Sequence, residues 1–219
     1  MTLAVIEAAA KAEGLALMGA FHTAPSDRTP PATRTLVLLG PDGRVFWERF
    51  RPSPEQSDGH PDPIDRWSER VIGELASRFD ALPLFPFTGP PWHPFTSWAL
   101  RSGRAWTSPV VLMVHDRQGL FASFRGALAL PTRLELEATN ASGPCETCEA
   151  PCRTTCPAGA LGFGRYDTAT CHRFLDTSAG SDCLSRGCAV RRACPVGRAA
   201  RIDAQSAFHM AAFHGTQKK

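Results

Sequence analysis

The segment "CETCEAPCRTTCP" (residues 145–157) places four cysteines within twelve positions and ends in a Cys-Pro pair. Its spacing, C-x2-C-x3-C-x3-C-P, is one residue longer in the middle gap than the bacterial ferredoxin run C-x2-C-x2-C-x3-C-P. In that run three cysteines hold one iron–sulfur cluster, and the cysteine before proline ligates a second one. Several soft thiolates at such spacing are typical ligands of an iron–sulfur cluster or of zinc. The segment therefore predicts a metal centre.

A second group of cysteines follows, and it also ends in a Cys-Pro pair, Cys194-Pro195. All eight cysteines of the chain lie between Cys145 and Cys194, so two groups of four leave none over. We expect two four-iron–four-sulfur (4Fe–4S) clusters with crossed ligands. The ligands expected for one cluster are Cys145, Cys148, Cys152 and Cys194. The ligands expected for the other are Cys156, Cys171, Cys183 and Cys188.

Three other interpretations of the cysteines remain open. A disulfide framework requires an oxidising compartment. Two zinc sites are possible, although structural zinc is usually held by separated C-x2-C pairs. One cluster with spare thiols is the third, because the spacing of the second group is irregular.

The first twenty residues, "MTLAVIEAAAKAEGLALMGA", predict an amphipathic helix rather than a signal peptide. Glu7, Lys11 and Glu13 interrupt the apolar run, and no basic segment precedes it. No stretch approaches about 18 uninterrupted apolar residues, so we expect no membrane span. These features favour a cytoplasmic protein.

The rest of the chain predicts an α+β fold. Residues 33–40 are a candidate strand and residues 44–50 a second strand or the start of another element. Residues 62–79 have the apolar spacing of a helix, whereas residues 82–99 are too rich in proline and aromatic residues for regular structure. Residues 108–130 predict an antiparallel hairpin with its turn at "DRQG" (116–119). A short helix is expected at 205–214, covering a cluster.

A boundary between two domains is expected near the segment "EATNASGP" (137–144), where the composition changes and the cysteines begin. We expect an N-terminal cofactor- or substrate-binding domain over residues 1–136. Residues 137–219 would form a cluster domain that ends in a helix.

The charge of the chain does not favour nucleic acid as a partner. The net charge is only +3, and near the basic run of the C-terminal part only Phe163, Tyr166 and Phe174 offer aromatic stacking. From Arg153 to Lys219, ten Lys and Arg residues oppose four Asp and Glu residues. Each cluster with four thiolates would carry a charge of about −2, so nearby cations would offset it.

The chain has neither a G-x-G-x-x-G nor a Walker sequence, so the N-terminal part does not resemble a Rossmann domain. It could still bind a large flat cofactor in an apolar cleft. No catalytic residue can be assigned from the sequence.

The segment "VLMVHDRQGLFASFRGALAL" (111–130) resembles the hairpin of CblC-type cobalamin-processing proteins, with the pattern I-H-P-x-F/Y-G-x-W-x-x-x-R-G. The matching residues are His115, Gly119, Arg125 and Gly126, while Asp116 replaces the proline and Phe121 the tryptophan. "DPIDRW" (62–67) and "LFPF" (84–87) are similar to two further segments of that family. The resemblance implies a nitroreductase-like α+β fold and reductive removal of the upper ligand of cobalamin. It also implies that the four matching residues bind cofactor.

The cysteine half is similar to epoxyqueuosine reductase, a cobalamin enzyme with two 4Fe–4S clusters, in which a lone cysteine like Cys171 belongs to the second cluster. The chain departs from that enzyme near Arg191, where a cysteine is expected, and it is much shorter. Together the resemblances imply a bacterial-ferredoxin-like dicluster module that passes electrons from an external flavodoxin- or ferredoxin-reductase-type donor to cobalamin. The alternatives are a dicluster electron carrier without cobalamin, and a reductase of another small molecule.

Overall fold

The structure is a computed structural model that describes residues 1–139, 142–162 and 164–215. Asn140 and Ala141 of the predicted hinge, and Phe163, lie outside the described residues. The strands are β1 (Leu15–His22), β2 (Thr35–Pro41), β3 (Leu82–Leu84), β4 (Ala105–Thr107), β5 (Met113–His115), β6 (Gly126–Leu130), β7 (Leu161–Gly162) and β8 (Arg165–Tyr166). The α-helices are α1 (Leu3–Ala12), α2 (Gly43–Phe50), α3 (Pro54–Ser57), α4 (Pro63–Arg78), α5 (Phe95–Arg101), α6 (Thr168–Leu175), α7 (Ser181–Arg186), α8 (Ala189–Ala193) and α9 (Asp203–Gly215). The protein is therefore α+β, as the sequence predicts.

Within this described part of the chain, no helix has both the length and the apolar character needed to cross a bilayer.

The chain forms two compact units, and each of them is built from two separate segments of the chain. The sheet unit comprises Met1–Arg104 and Ser123–Ala141. The cysteine unit comprises Ala105–Ala122 and Ser142–Lys219. This division differs from a single boundary at residues 136 and 137 in two segments: residues 105–122 group with the cysteines, and residues 137–139 group with the sheet unit.

The sheet unit contains a four-stranded antiparallel sheet in the order β1-β2-β6-β3. Strand β2 lies in the middle and all its residues are buried, which fits the prediction of an apolar strand over residues 33–40. Strand β6 pairs with β2 on one side and with β3 on the other. The prediction that residues 82–99 lack regular structure is wrong at both ends, where the short strand β3 and helix α5 form.

Helix α1 is shorter than the predicted amphipathic helix, because the chain reverses at Gly14 and continues as strand β1. Gly14 has φ +78°, and a Cβ atom there would lie 2.9 Å from the Cα atom of Phe46. Only glycine fits this combination of dihedral angle and close approach. The predicted helix is therefore correct for Leu3–Ala12 and wrong for the residues that follow.

Residues 44–50 form a helix rather than a strand. Phe46 and Phe50 are one turn apart in α2, both are fully buried, and their rings stack at 5.7 Å. Trp67 of α4 meets Phe46 edge-on at 5.1 Å. The predicted apolar face of α4 is buried, so the helix expected over residues 62–79 is confirmed in both extent and orientation. These helices supply much of the apolar core of the sheet unit.

The predicted hairpin over residues 108–130 does not form. Strand β5 pairs with β4, whereas β6 pairs with β2 and β3 in the other unit. A two-residue bridge, His115 with Gly119, closes the turn at "DRQG". The segment 105–122, which we call the covering hairpin, is built from β4, β5 and this turn.

The remainder of the cysteine unit consists of short helices and a two-stranded ribbon, β7–β8. Helix α9 packs against α7, and it confirms the helix predicted over residues 205–214. Phe213 of α9 stacks on His172 at 4.3 Å and on Tyr166 at 6.4 Å. These rings tie the last helix to α6 and to the ribbon.

Two candidate metal centres

The eight cysteines are free thiols, and the structure gathers them into two sets. The first thiol set consists of Cys145, Cys148, Cys152 and Cys194. Burial raises the pKa of the Cys145 thiol, and the charges of the other three raise it further. The same four thiols line one pocket and therefore lie close together.

Local turns position the first thiol set. The Cys148 amide donates to the Cys145 carbonyl, and the Ala150 amide donates to Cys148 Sγ at 3.4 Å. Cys152 lies on a 3₁₀ turn over Pro151–Thr154, and Cys194 ends helix α8 in an extended conformation. A cysteine far along the chain thus completes a site that begins at residue 145.

The covering hairpin supplies one wall of this pocket. Val114 and Leu120 line it and belong to the same apolar cluster as Cys152 and Cys194. The remaining lining residues are Pro144, Ala150, Pro195, Val196 and Ser108. Arg191 donates a hydrogen bond to the Leu120 carbonyl, which fastens the hairpin to helix α8. The pocket therefore has an apolar lining around four thiols.

Ser108 is the exception in this lining. Its side chain is 5% exposed, and its Oγ atom has no hydrogen-bond partner within the described residues. Leaving a buried hydroxyl unpaired costs about 1–3 kcal/mol. An acceptor for Ser108 Oγ is therefore expected inside the pocket.

The second thiol set consists of Cys156, Cys171, Cys183 and Cys188. Burial raises the pKa of the Cys171 thiol most strongly, and the charges of the other three thiols raise it further. Cys171 lies on α6 and Cys183 on α7, while Cys188 precedes α8. Cys183, on α7, is thus one of the four thiols that interact in this set.

The second set is richer in hydrogen-bond donors than the first. A hydrogen bond from the Tyr166 hydroxyl lowers the pKa of the Cys171 thiol, against the effect of burial. Burial raises the pKa of Cys188, while the backbone amides of Arg191 and Val190 stabilise its thiolate. Burial also raises the pKa of Tyr166, and its hydrogen bond to Cys171 adds to the shift.

One cation lies near each set. The charge of Arg191 lowers the pKa of Cys188, and that of Arg153 lowers the pKa of Cys152, although burial outweighs both effects. Other arginines of the basic run are paired within the unit: Arg186 and Arg192 with Asp182, and Arg201 with Asp203. The excess of cations is thus partly compensated by nearby carboxylates.

The donor sets are chemically suited to iron–sulfur clusters. A zinc ion with Zn–S bonds of about 2.3 Å holds its four sulfurs about 3.8 Å apart. A four-iron cluster interposes a cage of iron and sulfide, so its thiolates stand further apart. In the described ranges no group of three or more His, Cys, Asp or Glu side chains is placed to hold a metal ion. The first set offers four thiols around an apolar pocket, which are the donors that such a cage requires.

The four residues expected to bind cobalamin divide between the units. His115 and Gly119 lie in the turn of the covering hairpin, and His115 is only 1% exposed. Its Nδ1 atom accepts hydrogen bonds from the amides of Arg117 and Gln118, which shapes the turn. Gly119 lies against the first thiol set, since a Cβ atom there would be 3.0 Å from Cys194 Sγ.

Arg125 and Gly126 belong to the sheet unit. Arg125 forms an ion pair with Asp65, donates to Ser68 Oγ at 3.1 Å and lies 5.4 Å from the centre of the Phe87 ring. Gly126 begins β6, where a Cβ atom would approach Ile72 to 2.7 Å. The structure thus brings together parts of the three segments that resemble cobalamin-processing proteins: "DPIDRW", "LFPF" and the "RG" pair.

Sequence reasoning missed Ser108, Val114 and Leu120 as part of a thiol site. No spacing rule connects them to the cysteines, since they become neighbours only through the fold. A buried serine also leaves no signature in the sequence, because serine is common in exposed loops.

Comparisons with known proteins add no relative. The chain matches no protein-family model, no curated protein and no solved structure.

Proposed function

We propose that the protein is an iron–sulfur oxidoreductase that passes electrons from two 4Fe–4S clusters to a bound cobalamin. The observation that supports two clusters is that the eight thiols interact in two sets of four. Each set would hold one cluster, and the clusters would supply one-electron transfer. A bacterial-ferredoxin-like arrangement accounts for the crossed order of the cysteines along the chain.

The cysteines of the first set would bind iron, and the residues that line the pocket around them would exclude water. Val114 and Leu120 form an apolar wall, and apart from Ser108 the rest of the lining around the thiols consists of proline, alanine and valine side chains. Low solvent access and few hydrogen-bond donors both lower the potential of a cluster. The first cluster would therefore be the stronger reductant, and the second, with Tyr166 and two backbone amides, the weaker one.

Cobalamin is proposed as the substrate because of the N-terminal segments. Three short segments that resemble a cobalamin-processing family meet at Arg125 in the sheet unit. A nitroreductase-like arrangement of this unit is part of the same proposal. The reaction would be reduction of cobalt with loss of its upper ligand, with electrons from an external flavodoxin- or ferredoxin-reductase-type donor in the cytoplasm.

A second candidate is a dicluster electron carrier that binds no cobalamin. One observation favours it: Arg125 is engaged by Asp65, Ser68 and Phe87 of its own chain rather than directed at a ligand. In that case the sheet unit would dock an electron-transfer partner or bind another small molecule.

The test begins with anaerobic purification and a count of iron and acid-labile sulfide. About eight irons and eight sulfides per chain are expected, whereas zinc or an iron-free protein would overturn the proposal. Hydroxocobalamin is then titrated and its visible bands are followed before and after dithionite is added. Shifted bands and reduced cobalt support the cobalamin reductase. If the iron count is full but the cobalamin bands do not move, the second candidate, the dicluster electron carrier, is supported instead.

A further inference from the structure

We propose that Ser108 donates a hydrogen bond to the sulfur atoms held in the first pocket and so raises the reduction potential of the cluster bound there. This inference rests on the proposed function, since it requires a cluster in the first thiol set. Ser108 lies on the covering hairpin, about forty residues before the first cysteine, and nothing in the cysteine spacing points to it.

The hydroxyl of Ser108 is buried and its hydrogen-bonding capacity is unused. The backbone of the residue is already engaged: its amide donates to the Leu112 carbonyl at 2.9 Å, and its carbonyl accepts from the Val111 amide at 3.0 Å. Only the Oγ atom lacks a partner in the part of the chain that the structure describes. Buried hydroxyls are nearly always hydrogen-bonded in native proteins.

The side-chain acceptors that the pocket offers are sulfur atoms. Every other described side chain of the lining is aliphatic or proline, apart from the four thiols of the first set. A serine hydroxyl can rotate its hydrogen toward a thiolate or a sulfide without moving the backbone. The chemistry of the lining therefore selects a sulfur acceptor.

The loop that carries Ser108 is held in an uncommon conformation. Val111 has φ +58°, a left-handed value that is rare for a β-branched residue. This turn closes the short connection between β4 and β5 and sets Ser108 at the pocket wall. A strained backbone conformation of this kind persists only where the surrounding structure holds it in place.

The expected consequence is electrostatic. A reduced cluster carries one more negative charge than an oxidised one, so a donor hydrogen bond stabilises the reduced form more. Hydrogen bonds to sulfur are among the factors that set cluster potentials. Removing the hydroxyl should therefore shift one cluster, and only one, to a more negative potential.

The experiment is a redox titration of the iron-loaded protein, followed by electron paramagnetic resonance, in three variants. The side chains introduced by Ser108→Thr and Ser108→Val have nearly the same shape, but only the first keeps a hydroxyl. Ser53→Ala alters a similarly buried serine, 6% exposed, in the sheet unit. We expect Ser108→Val to move one of the two potentials negative relative to Ser108→Thr, and Ser53→Ala to move neither.

The outcomes separate this inference from the proposed function. Loss of the first cluster in Ser108→Val but not in Ser108→Thr would also support a role for the hydroxyl. Equal potentials in the two Ser108 variants, at full iron content, would overturn the inference and leave the clusters in place. An iron-free parent protein would overturn the proposed function itself.

Discussion

Gly119 and Val196 approach so closely that no side chain can stand between them. A Cβ atom on Gly119 would overlap the Val196 carbonyl oxygen, and a Cβ atom on Gly197 would lie only 2.7 Å from the backbone of Gln118. The turn of the covering hairpin and the loop after Cys194 therefore fit together backbone to backbone. This contact brings the hairpin wall against the first thiol set.

We predict that Gly119→Ala destabilises the cysteine unit by about 3 kcal/mol and lowers its iron content, because overpacking adds to the strain of a left-handed backbone. Gly159→Ala is the matched control: its φ of +62° is similar, but no atom lies within 4 Å of the added Cβ. That variant should cost only about 1 kcal/mol. Urea unfolding and iron analysis would check both. Equal effects of the two substitutions would contradict the backbone contact.

We predict that the cysteine variants fall into two spectroscopic classes, one for each cluster, and that these classes do not follow the order of the cysteines along the chain. Cys194→Ser should remove the same cluster as Cys152→Ser, while Cys156→Ser should remove the same cluster as Cys183→Ser. Each variant should retain about half of the iron, since the sets share no ligand. Iron analysis and electron paramagnetic resonance of the remaining cluster provide the measurement. Cys152 and Cys156 are assigned to different clusters, so loss of the same signal in Cys152→Ser and in Cys156→Ser would contradict this assignment.

We predict that Arg125→Met destabilises the sheet unit by about 2–3 kcal/mol, because it leaves Asp65 and Ser68 without their partner. The figure is reduced from that of a fully buried pair, since the Asp65 side chain is 34% exposed. Arg125→Lys should recover less than half of the loss, as lysine cannot form the same fork of hydrogen bonds. Urea unfolding followed by tryptophan fluorescence would measure these changes.

The control for Arg125 is an exposed ion pair in the same unit. Arg44 is 76% exposed and lies 3.9 Å from Glu48. Arg44→Met should change the free energy of unfolding by less than about 0.5 kcal/mol. A similar loss in both variants would show that the contacts of Arg125 add nothing.

We predict an acid-sensitive contribution from Asp58. Hydrogen bonds from Arg66 at 2.6 and 2.8 Å, and then from the His60 amide, lower the pKa of Asp58 from 3.8 to about 2. A carboxyl group with a lowered pKa stabilises the folded state above its unfolded value and loses that effect as the pH falls. The loss should fall between about pH 4 and pH 2.

The measurement is the melting temperature of Asp58→Asn and of the parent protein from pH 5 to pH 2. The variant should lose less stability than the parent across this interval. Asp42→Asn, whose side chain makes no capping hydrogen bond, serves as control. Parallel curves for the parent and Asp58→Asn would show that the Arg66 contact does not act in solution.

Local patterns were sufficient to predict some elements. Helix α4 follows from its apolar spacing, and strand β2 from a run of Leu and Val ended by a turn. The expected grouping of the eight thiols rests on their spacing and on the two Cys-Pro pairs, and it joins Cys194 to cysteines more than forty residues earlier. In each case the information lies within a few residues or within one repeated chemical type.

Other elements depend on contacts that are distant in sequence. Residues 126–130 could pair with the strand just before them, yet they pair with β2 and β3, and all five of them are buried there. Pairing choices of this kind depend on tertiary packing rather than on propensity. The end of α1 depends on the approach of Phe46 to Gly14, and the place of Ser108 depends on the covering hairpin. None of these contacts can be deduced from a local pattern.

The two thiol sets are nested along the chain, with a consequence for the order of maturation. Cys156, Cys171, Cys183 and Cys188 all lie between Cys152 and Cys194. During synthesis the inner set is therefore complete as soon as Cys188 leaves the ribosome, while the outer set must wait for Cys194. A nascent chain halted between these two residues would carry one finished site and one that lacks a single ligand.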